Sequence, residues 1–254
     1  MTTIKLILKI ILYKPLFNIF AVLLLLPGHN VGVTIVILTI LIRLILLPST
    51  ANSTKMQKKL KDLQPEIDKI KEKYKDDQQA QAKATMEFYQ VNKINPFSSC
   101  LPLLVQLPIL LVLYYVFRNV LTLDRYPELL YSFTPHLTNP ADLHTIFLGI
   151  NLANPSIPLA IITGLLQFWQ TKQITPEMPK TQQKNNDNGL QSALGNQMLY
   201  LMPIFTVIIA LKLPAALPLY WCVTTLFMIG QQHFIFKNNK VDLKGVSVQV
   251  KTKS

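Results

Sequence analysis

The sequence predicts an all-α integral membrane protein with five transmembrane helices and a helical hairpin. Half of the 254 residues are hydrophobic, only 15% are charged, and the apolar residues form long runs. Because about 20 apolar residues are needed to cross ~30 Å of hydrocarbon, we place the five spans, in order, at residues 31–48, 97–117, 157–171, 196–213 and 215–235. The KLPAALP sequence between the last two spans is typical of a tight turn.

The distribution of positive charge predicts that the C-terminus is cytoplasmic, because cytoplasmic loops of membrane proteins carry the excess of Lys and Arg. Residues 52–95 contain ten lysines, and the basic tail at 237–254 contains five. The connection at 118–158 contains only Arg118 and Arg125. An odd number of spans then places the start of the first span on the outer side.

The N-terminal segment, residues 1–30, permits three interpretations. Its apolar stretch of about 11 residues ends before Pro27 and is short for a membrane crossing. The segment is therefore an uncleaved signal-like sequence, a sixth span, or an amphipathic helix in the outer interface. We favour the interfacial helix because Pro15 and Pro27 bracket a short element.

Residues 52–95 predict a cytoplasmic, antiparallel helical hairpin. Apolar residues recur at spacings of four and three, as in a coiled-coil seam, at Met56, Leu60, Leu63, Ile67, Ile70 and Tyr74. The sequence KYKDDQQ interrupts this pattern before a second helix with the same rhythm. We expect Pro65 to kink the first arm, and short joints near Ser53 and Asn95 to connect the hairpin to the spans.

The sequence contains no recognisable catalytic, metal-binding or cofactor-binding pattern. Its four histidines are scattered, and it has neither a serine nucleophile motif nor a glycine-rich phosphate loop. The five predicted spans contain no Asp or Glu, although proton- or sodium-coupled transport normally needs an ionisable relay in the membrane. We therefore predict a protein that is not an enzyme, with no cofactor and no metal.

Arg43 is the one charged residue within the otherwise apolar first predicted span, and its role needs an explanation. It lies five residues before Pro48, close enough to the cytoplasmic end to extend its guanidinium to the headgroups. Alternatively it faces inward and is functional, since an arginine at depth costs ~2.5–3.5 kcal/mol or more. Thr39 lies one helical turn away on the same face, and other spans contribute polar side chains that include Gln106 and Gln167.

Several sequence blocks resemble those of the YidC membrane protein insertases, relatives of the mitochondrial Oxa and chloroplast Alb proteins. These blocks are LTILIRLILLPST, LQPEIDKIKEKYKDD, NPFSSCLPLLVQLPI and LPLYW, in the order of the family. The resemblance extends from about Pro15 to Gln232. It implies the compact form of the family, without the large extracytoplasmic domain of its longer members.

The resemblance implies a membrane protein insertase in which the helices enclose a hydrophilic groove open to the cytoplasm and to lipid. Nascent membrane proteins would enter this positively charged groove, and their helices would leave it laterally. The family's groove arginine corresponds to Arg43, and its other groove contacts fall on Thr39 and Trp221. Together with the polar residues of neighbouring spans, the candidate groove residues are Thr39, Arg43, Gln106, Gln167, Tyr220 and Trp221.

The resemblance also implies a bacterial cytoplasmic membrane location, function as a monomer, and partners. The partners are nascent membrane proteins, membrane lipid, the Sec translocon and the ribosome. The basic tail is similar to tails that touch the ribosome, through Lys237, Lys240, Lys244, Lys251 and Lys253; the alternative is that these lysines only add to the positive charge of the cytoplasmic side. A rival interpretation is a channel or transporter for an organic anion bound at Arg43; the five spans show no inverted repeat, which disfavours it.

Overall fold

The computed structural model describes residues 9–95, 101–122, 129–135, 142–175 and 190–238. A π-helical turn, Lys9–Tyr13, precedes eight α-helices: α1 Lys14–Leu24, α2 Val31–Asp62, α3 Gln64–Lys73, α4 Gln78–Val91, α5 Leu101–Thr122, α6 Ile157–Ile174, α7 Leu190–Ala210 and α8 Ala216–Asn238. The strands β1, Ile146–Phe147, and β2, Ile150–Asn151, form an antiparallel hairpin. Residues 1–8 and the tail lysines at 240, 244, 251 and 253 lie outside the described residues.

Two of the described helices are long and apolar enough to cross a membrane. They are α2 and the Leu104–Leu121 part of α5. Two shorter apolar helical segments cover Ile10–Leu24 and Leu199–Ala210. The protein is therefore mostly helical and has two candidate membrane spans among the described residues. The total of five spans stays a prediction.

Helix α2 continues through Pro48 and Ser53 without interruption, so the joint predicted near Ser53 is wrong. Pro48 lacks the backbone N–H that would bond the carbonyl of Leu44, and the helix continues despite this loss. Membrane helices tolerate proline where neighbouring helices or local side chains satisfy the freed groups. The chain first turns at Leu63, immediately before α3, whose first turn contains Pro65.

The helical pair, α3 and α4, has a small apolar core of its own. Its buried side chains are Leu63, Ile67, Ile70, Ala84, Phe88, Tyr89 and Ile94. Asp77 caps α4 by accepting from the backbone N–H groups of Gln79 and Ala80 at 3.0 and 2.9 Å. The ammonium of Lys61 donates to the carbonyl of Gln173 at 2.9 Å, which ties the end of α2 to the end of α6. The cytoplasmic position of the pair stays a prediction.

The main apolar core surrounds the N-terminal end of α2, at the opposite end of that helix from the helical pair. Helix α1 contributes Phe17 and Phe20, which are fully buried. The ring centroid of Phe20 lies 5.8 Å from that of Phe117 on α5, which in turn lies 6.5 Å from that of Tyr220 on α8. The N-terminal helix is thus packed into the core of the bundle; whether it is interfacial, a span or signal-like stays open.

The β-hairpin is fastened to the first turn of α2. The side chain of Asn30 caps α2 by accepting from the N–H of Gly32 at 2.9 Å, and its amide donates to the carbonyl of Ile146 at 2.8 Å. The N–H of Val31 donates to the carbonyl of His144 at 3.0 Å. We call this end of the bundle, which carries the β-hairpin and lies opposite the helical pair, the hairpin end.

Two glycines give a matched test of helix packing. A Cβ on Gly164 of α6 would lie 2.3 Å from Cγ2 of Val207 on α7, whereas a Cβ on Gly230 of α8 would meet nothing within 4 Å. We expect Gly164→Ala to lower the thermal unfolding midpoint in detergent, because overpacking costs about 1–3 kcal/mol. Gly230→Ala should leave it unchanged or raise it, since alanine is the better helix former. Equal shifts would contradict the close α6–α7 contact.

Candidate functional site

The guanidinium of Arg43 points across the bundle. Its side chain is nearly buried, with Arg43 only 4% exposed. Nη2 donates to Oε1 of Gln106 on α5 at 2.6 Å. The side chain therefore does not extend along α2 toward the membrane surface, and the snorkelling alternative does not describe this structure.

Gln106 connects Arg43 to a third helix. Its Nε2 donates to the hydroxyl of Tyr220 on α8 at 2.7 Å, and Tyr220 is buried. An amide has one accepting oxygen and one donating nitrogen, so the cation on one side and the phenol on the other orient it. The resulting Arg43–Gln106–Tyr220 chain joins α2, α5 and α8.

Arg43 keeps its positive charge uncompensated within the described part of the chain. The ion pairs found there are Lys58–Asp62, Lys69–Glu66 and Lys71–Asp68, all at the helical-pair end. The Nε of Arg43 is buried without a hydrogen-bond partner among the described residues. A buried cation without a counter-ion is costly unless water or a ligand solvates it. The side chain therefore supplies a local positive potential.

A small recess with mixed polar and apolar walls begins at Arg43 and extends between α2 and α5 toward the helical pair. Its walls are formed by Arg43, Leu46, Ser49, Thr50 and Ser53 of α2 and by Pro102, Val105 and Gln106 of α5. The α2 residues recur every three to four positions, so they share one helix face. Three hydroxyl groups, one cation and one amide make this surface suitable for a hydrated ligand.

The buried side chains of α2 and α8 change from apolar to polar along the bundle, with Arg43 near the transition. On α2 the apolar ones are Val31, Ile35 and Leu38, and the polar ones that follow are Thr39, Arg43, Ser53 and Thr54. On α8 the hairpin-end residues are Ala216, Leu217, Pro218, Leu219 and Tyr220, and the later polar ones are Thr224, Thr225 and Gln232. On these two helices we call the part at the hairpin end the apolar half and the part beyond Arg43 the polar half, although Thr34 of the former is polar and Ile229 and Ile235 of the latter are apolar.

The structure brings only part of the predicted site together. Arg43 and Gln106 line the recess, and Tyr220 reaches it through Gln106. Thr39 is buried, and its hydroxyl donates to the carbonyl of Ile35 at 2.6 Å instead of facing the recess. Gln167 and Trp221 are half-buried and do not line it. The groove role of these residues stays a prediction.

The hydroxyl wall of Ser49, Thr50 and Ser53 was not predicted from the sequence. Their spacing from Arg43 follows the helix face, which was a usable signal. The predicted span ended at Pro48, so the residues after it were assigned to a joint. Once α2 is known to continue, helix geometry alone places them on the same face as Arg43, further along α2 toward the helical pair.

Comparison with known proteins identifies the family. The model of the family described as 60Kd inner membrane protein matches residues 23–242. The membrane protein insertase YidC of Fusobacterium nucleatum is 36% identical over 208 residues, which cover 82% of this chain and 87% of that protein. This chain belongs to the YidC insertase family.

Other YidC-family relatives agree over similar lengths. YidC of Clostridium tetani is 35% identical over 206 residues, 81% of each chain. The membrane protein insertase MisCA of Bacillus subtilis is 32% identical over 231 residues, 89% of this chain and 78% of that protein. The predicted resemblance to the YidC family is confirmed, and with it the description of the family as inner membrane proteins.

The Arg43–Gln106–Tyr220 chain should contribute to stability. Gln106→Leu would remove one acceptor from Arg43 and the donor to Tyr220, and each buried group left unpaired costs about 1–3 kcal/mol. Gln231→Leu is the matched control, because Gln231 donates to Thr50 at 3.1 Å in a partly exposed position. We expect a larger loss for Gln106→Leu in thermal unfolding of the purified protein. Equal losses would mean that Arg43 and Tyr220 find other partners.

Proposed function

We propose that this protein is a membrane protein insertase that receives nascent membrane proteins in the recess that begins at Arg43. Membership of the YidC family supports the insertase role. The single observation that carries the site assignment is the buried guanidinium at the border between the apolar and the polar half, which has no counter-ion among the described residues. A buried cation without a counter-ion destabilises the fold but attracts a negatively charged ligand, so its position favours a role in binding.

The proposed mechanism lowers the cost of moving a polar segment into the membrane. The outer segment of a substrate carries polar and acidic groups, which cost several kcal/mol each when buried unpaired. A hydrated recess that reaches partway across the bilayer shortens the apolar distance that remains. The positive potential of Arg43 attracts acidic groups to its inner end.

Release of the substrate needs no nucleotide in this proposal. The apolar helix of the substrate moves out between the spans into lipid, and removal of its surface from water drives the step. The recess lies between α2 and α5 and is bounded by three apolar side chains, Leu46, Pro102 and Val105, besides its polar groups. Such a mixed surface suits a segment that is leaving water for hydrocarbon.

The remaining assignments are proposals of the same kind. The protein would lie in the bacterial cytoplasmic membrane as a multi-pass monomer, with the helical pair and the C-terminus in the cytoplasm. The helical pair would receive substrates, and the basic tail that begins near Lys237 would contact the ribosome through salt-sensitive charge interactions. The Sec translocon is a further proposed partner.

Variants that change the charge at Arg43 and Gln106 test whether the positive electrostatic potential of the site, and not the packing of its side chains, is needed for insertion. Gln106→Glu would place a carboxylate where the amide oxygen now lies 2.6 Å from Arg43, keeping the contact but neutralising the cation. A cation about 5 Å from an acidic group contributes about 1–3 kcal/mol, so insertion of substrates with acidic outer segments should fall roughly tenfold or more. Arg43→Ala should do the same, while Arg43→Lys should keep most activity.

The assay is insertion of a small single-span protein into liposomes that contain the purified variants. Substrates with neutral outer segments are the internal control and should depend much less on Arg43. Uptake of labelled organic anions is measured in parallel. Full insertion of acidic substrates by Gln106→Glu and Arg43→Ala would refute the role of the charge, and Arg43-dependent anion uptake would favour the channel or transporter alternative.

Two leucines of α2 test where the substrate travels. Leu46 lines the recess, whereas Leu44, two positions away and therefore rotated by ~200°, is exposed on the other side of the helix. A photocrosslinker in place of Leu46 should capture a stalled nascent chain more often than one in place of Leu44. Equal capture at both positions, measured by the yield of crosslinked product, would place the path elsewhere.

A further inference from the structure

The tip of the β-hairpin is built in an unusual way. Its two-residue loop is Leu148 and Gly149, with φ of 49° and 79°. Two-residue loops with positive φ at both positions strongly favour Asn-Gly. This backbone conformation strains most residues that have a Cβ, and a bulky side chain such as leucine is rarely found in it. Leu148 is also 86% exposed, so no contact within the described residues compensates for a leucine at this position.

Other large apolar side chains between the end of α5 and the start of α6 are exposed as well. Phe133 is 80% exposed, and Ile146 and Ile157 are 61% and 65% exposed. The described residues 129–135 and 142–157 contain a single charged residue, Asp142. A water-facing surface normally carries charges among its apolar residues, so these segments suit a different environment.

The tip is held at a defined depth relative to α2. Phe147 packs directly on the first turn of α2, where a Cβ on Gly32 would lie 2.2 Å from its ring. Leu148 is one residue further, which is about 3.3 Å of extended chain. The headgroup region of a bilayer is roughly 5–8 Å thick on each side. If α2 crosses the membrane, the tip cannot be far from the interface at its N-terminal end.

We propose that the β-hairpin tip is a lipid anchor that inserts Leu148, flanked by Ile146, into the membrane interface at the hairpin end. Tyr131 and Phe133 support lipid as the occupant, since their rings stack at 5.3 Å and aromatic side chains favour this region. A stable protein interface takes about 20–30 residues a side, more than this patch offers. The proposal rests on α2 crossing the membrane and not on insertase activity.

The anchor would fix the depth of the apolar half. The hairpin is hydrogen-bonded to the residues that begin α2, through Asn30 and Val31. Holding the tip at the interface therefore holds the N-terminus of α2, and with it the height of Arg43 in the bilayer. A recess that reaches only partway across the membrane depends on this height.

Site-directed spin labelling in lipid nanodiscs with one protein each tests the proposal. The background is Cys100→Ser with Cys222→Ser, and the label is attached to Leu148→Cys. Ile45→Cys, on a position of α2 that is 76% exposed, is the lipid reference, and Met86→Cys, 49% exposed on α4, is the water reference. The ratio of collision with oxygen to collision with a water-soluble nickel chelate should be several-fold higher at position 148 than at position 86.

A second measurement asks whether Leu148 itself drives insertion. A label at Ile146→Cys should become more accessible to the nickel chelate when Leu148→Asn is added, because asparagine fits the turn but not the interface. Leu148→Met is the matched control and should cause no change. A label at 148 that behaves like that at 86, a label shielded from both reagents as under a protein, or no effect of Leu148→Asn would each overturn the proposal. None of these readouts depends on insertion of a substrate.

Discussion

A buried guanidinium with a neutral partner is the interaction on which the rest of the structure depends. Arg43 donates to the amide of Gln106, and Gln106 is held by the hydroxyl of Tyr220. A carboxylate in place of the amide would stabilise the cation and remove its field, whereas an apolar surrounding would make the charge prohibitively costly. An oriented amide avoids both outcomes. It positions the charge and leaves it available to a ligand.

The two halves of the bundle follow from that constraint. Beyond Arg43 the walls of the recess combine the hydroxyls of Ser49, Thr50 and Ser53 with apolar side chains such as Leu46. Toward the hairpin end the packing of Phe20, Phe117 and Tyr220 closes the interior with apolar surface. Because α2 is one helix through both halves, Arg43 lies about 28 Å from the residue where α2 meets the helical pair, at ~1.5 Å per residue.

Composition and apolar patterning were enough to predict the helical class, and the resemblance of sequence blocks was enough to predict the family; Arg43, Gln106 and Tyr220 were among the candidates. It was not enough to place the break between the first span and the helical pair. Local propensity argues for an end at Pro48, but the helix continues through it, as membrane helices can, and the hydroxyl wall was missed as a consequence. The β-hairpin was also missed, since strands of two residues are too short to show an alternating pattern.

The central claim, that Arg43 maintains a positive potential in a hydrated recess, is tested most directly by charged thiol reagents. Ser49→Cys, in a background without the natural cysteines, is exposed in turn to an anionic and a cationic methanethiosulfonate of similar size, and the ratio of the two rates is measured. Met86→Cys on α4 corrects for the intrinsic reactivity of the reagents. We predict a ratio that favours the anion and falls several-fold in Arg43→Gln. A ratio unaffected by Arg43→Gln, or a cysteine unreactive to both reagents, would contradict the account.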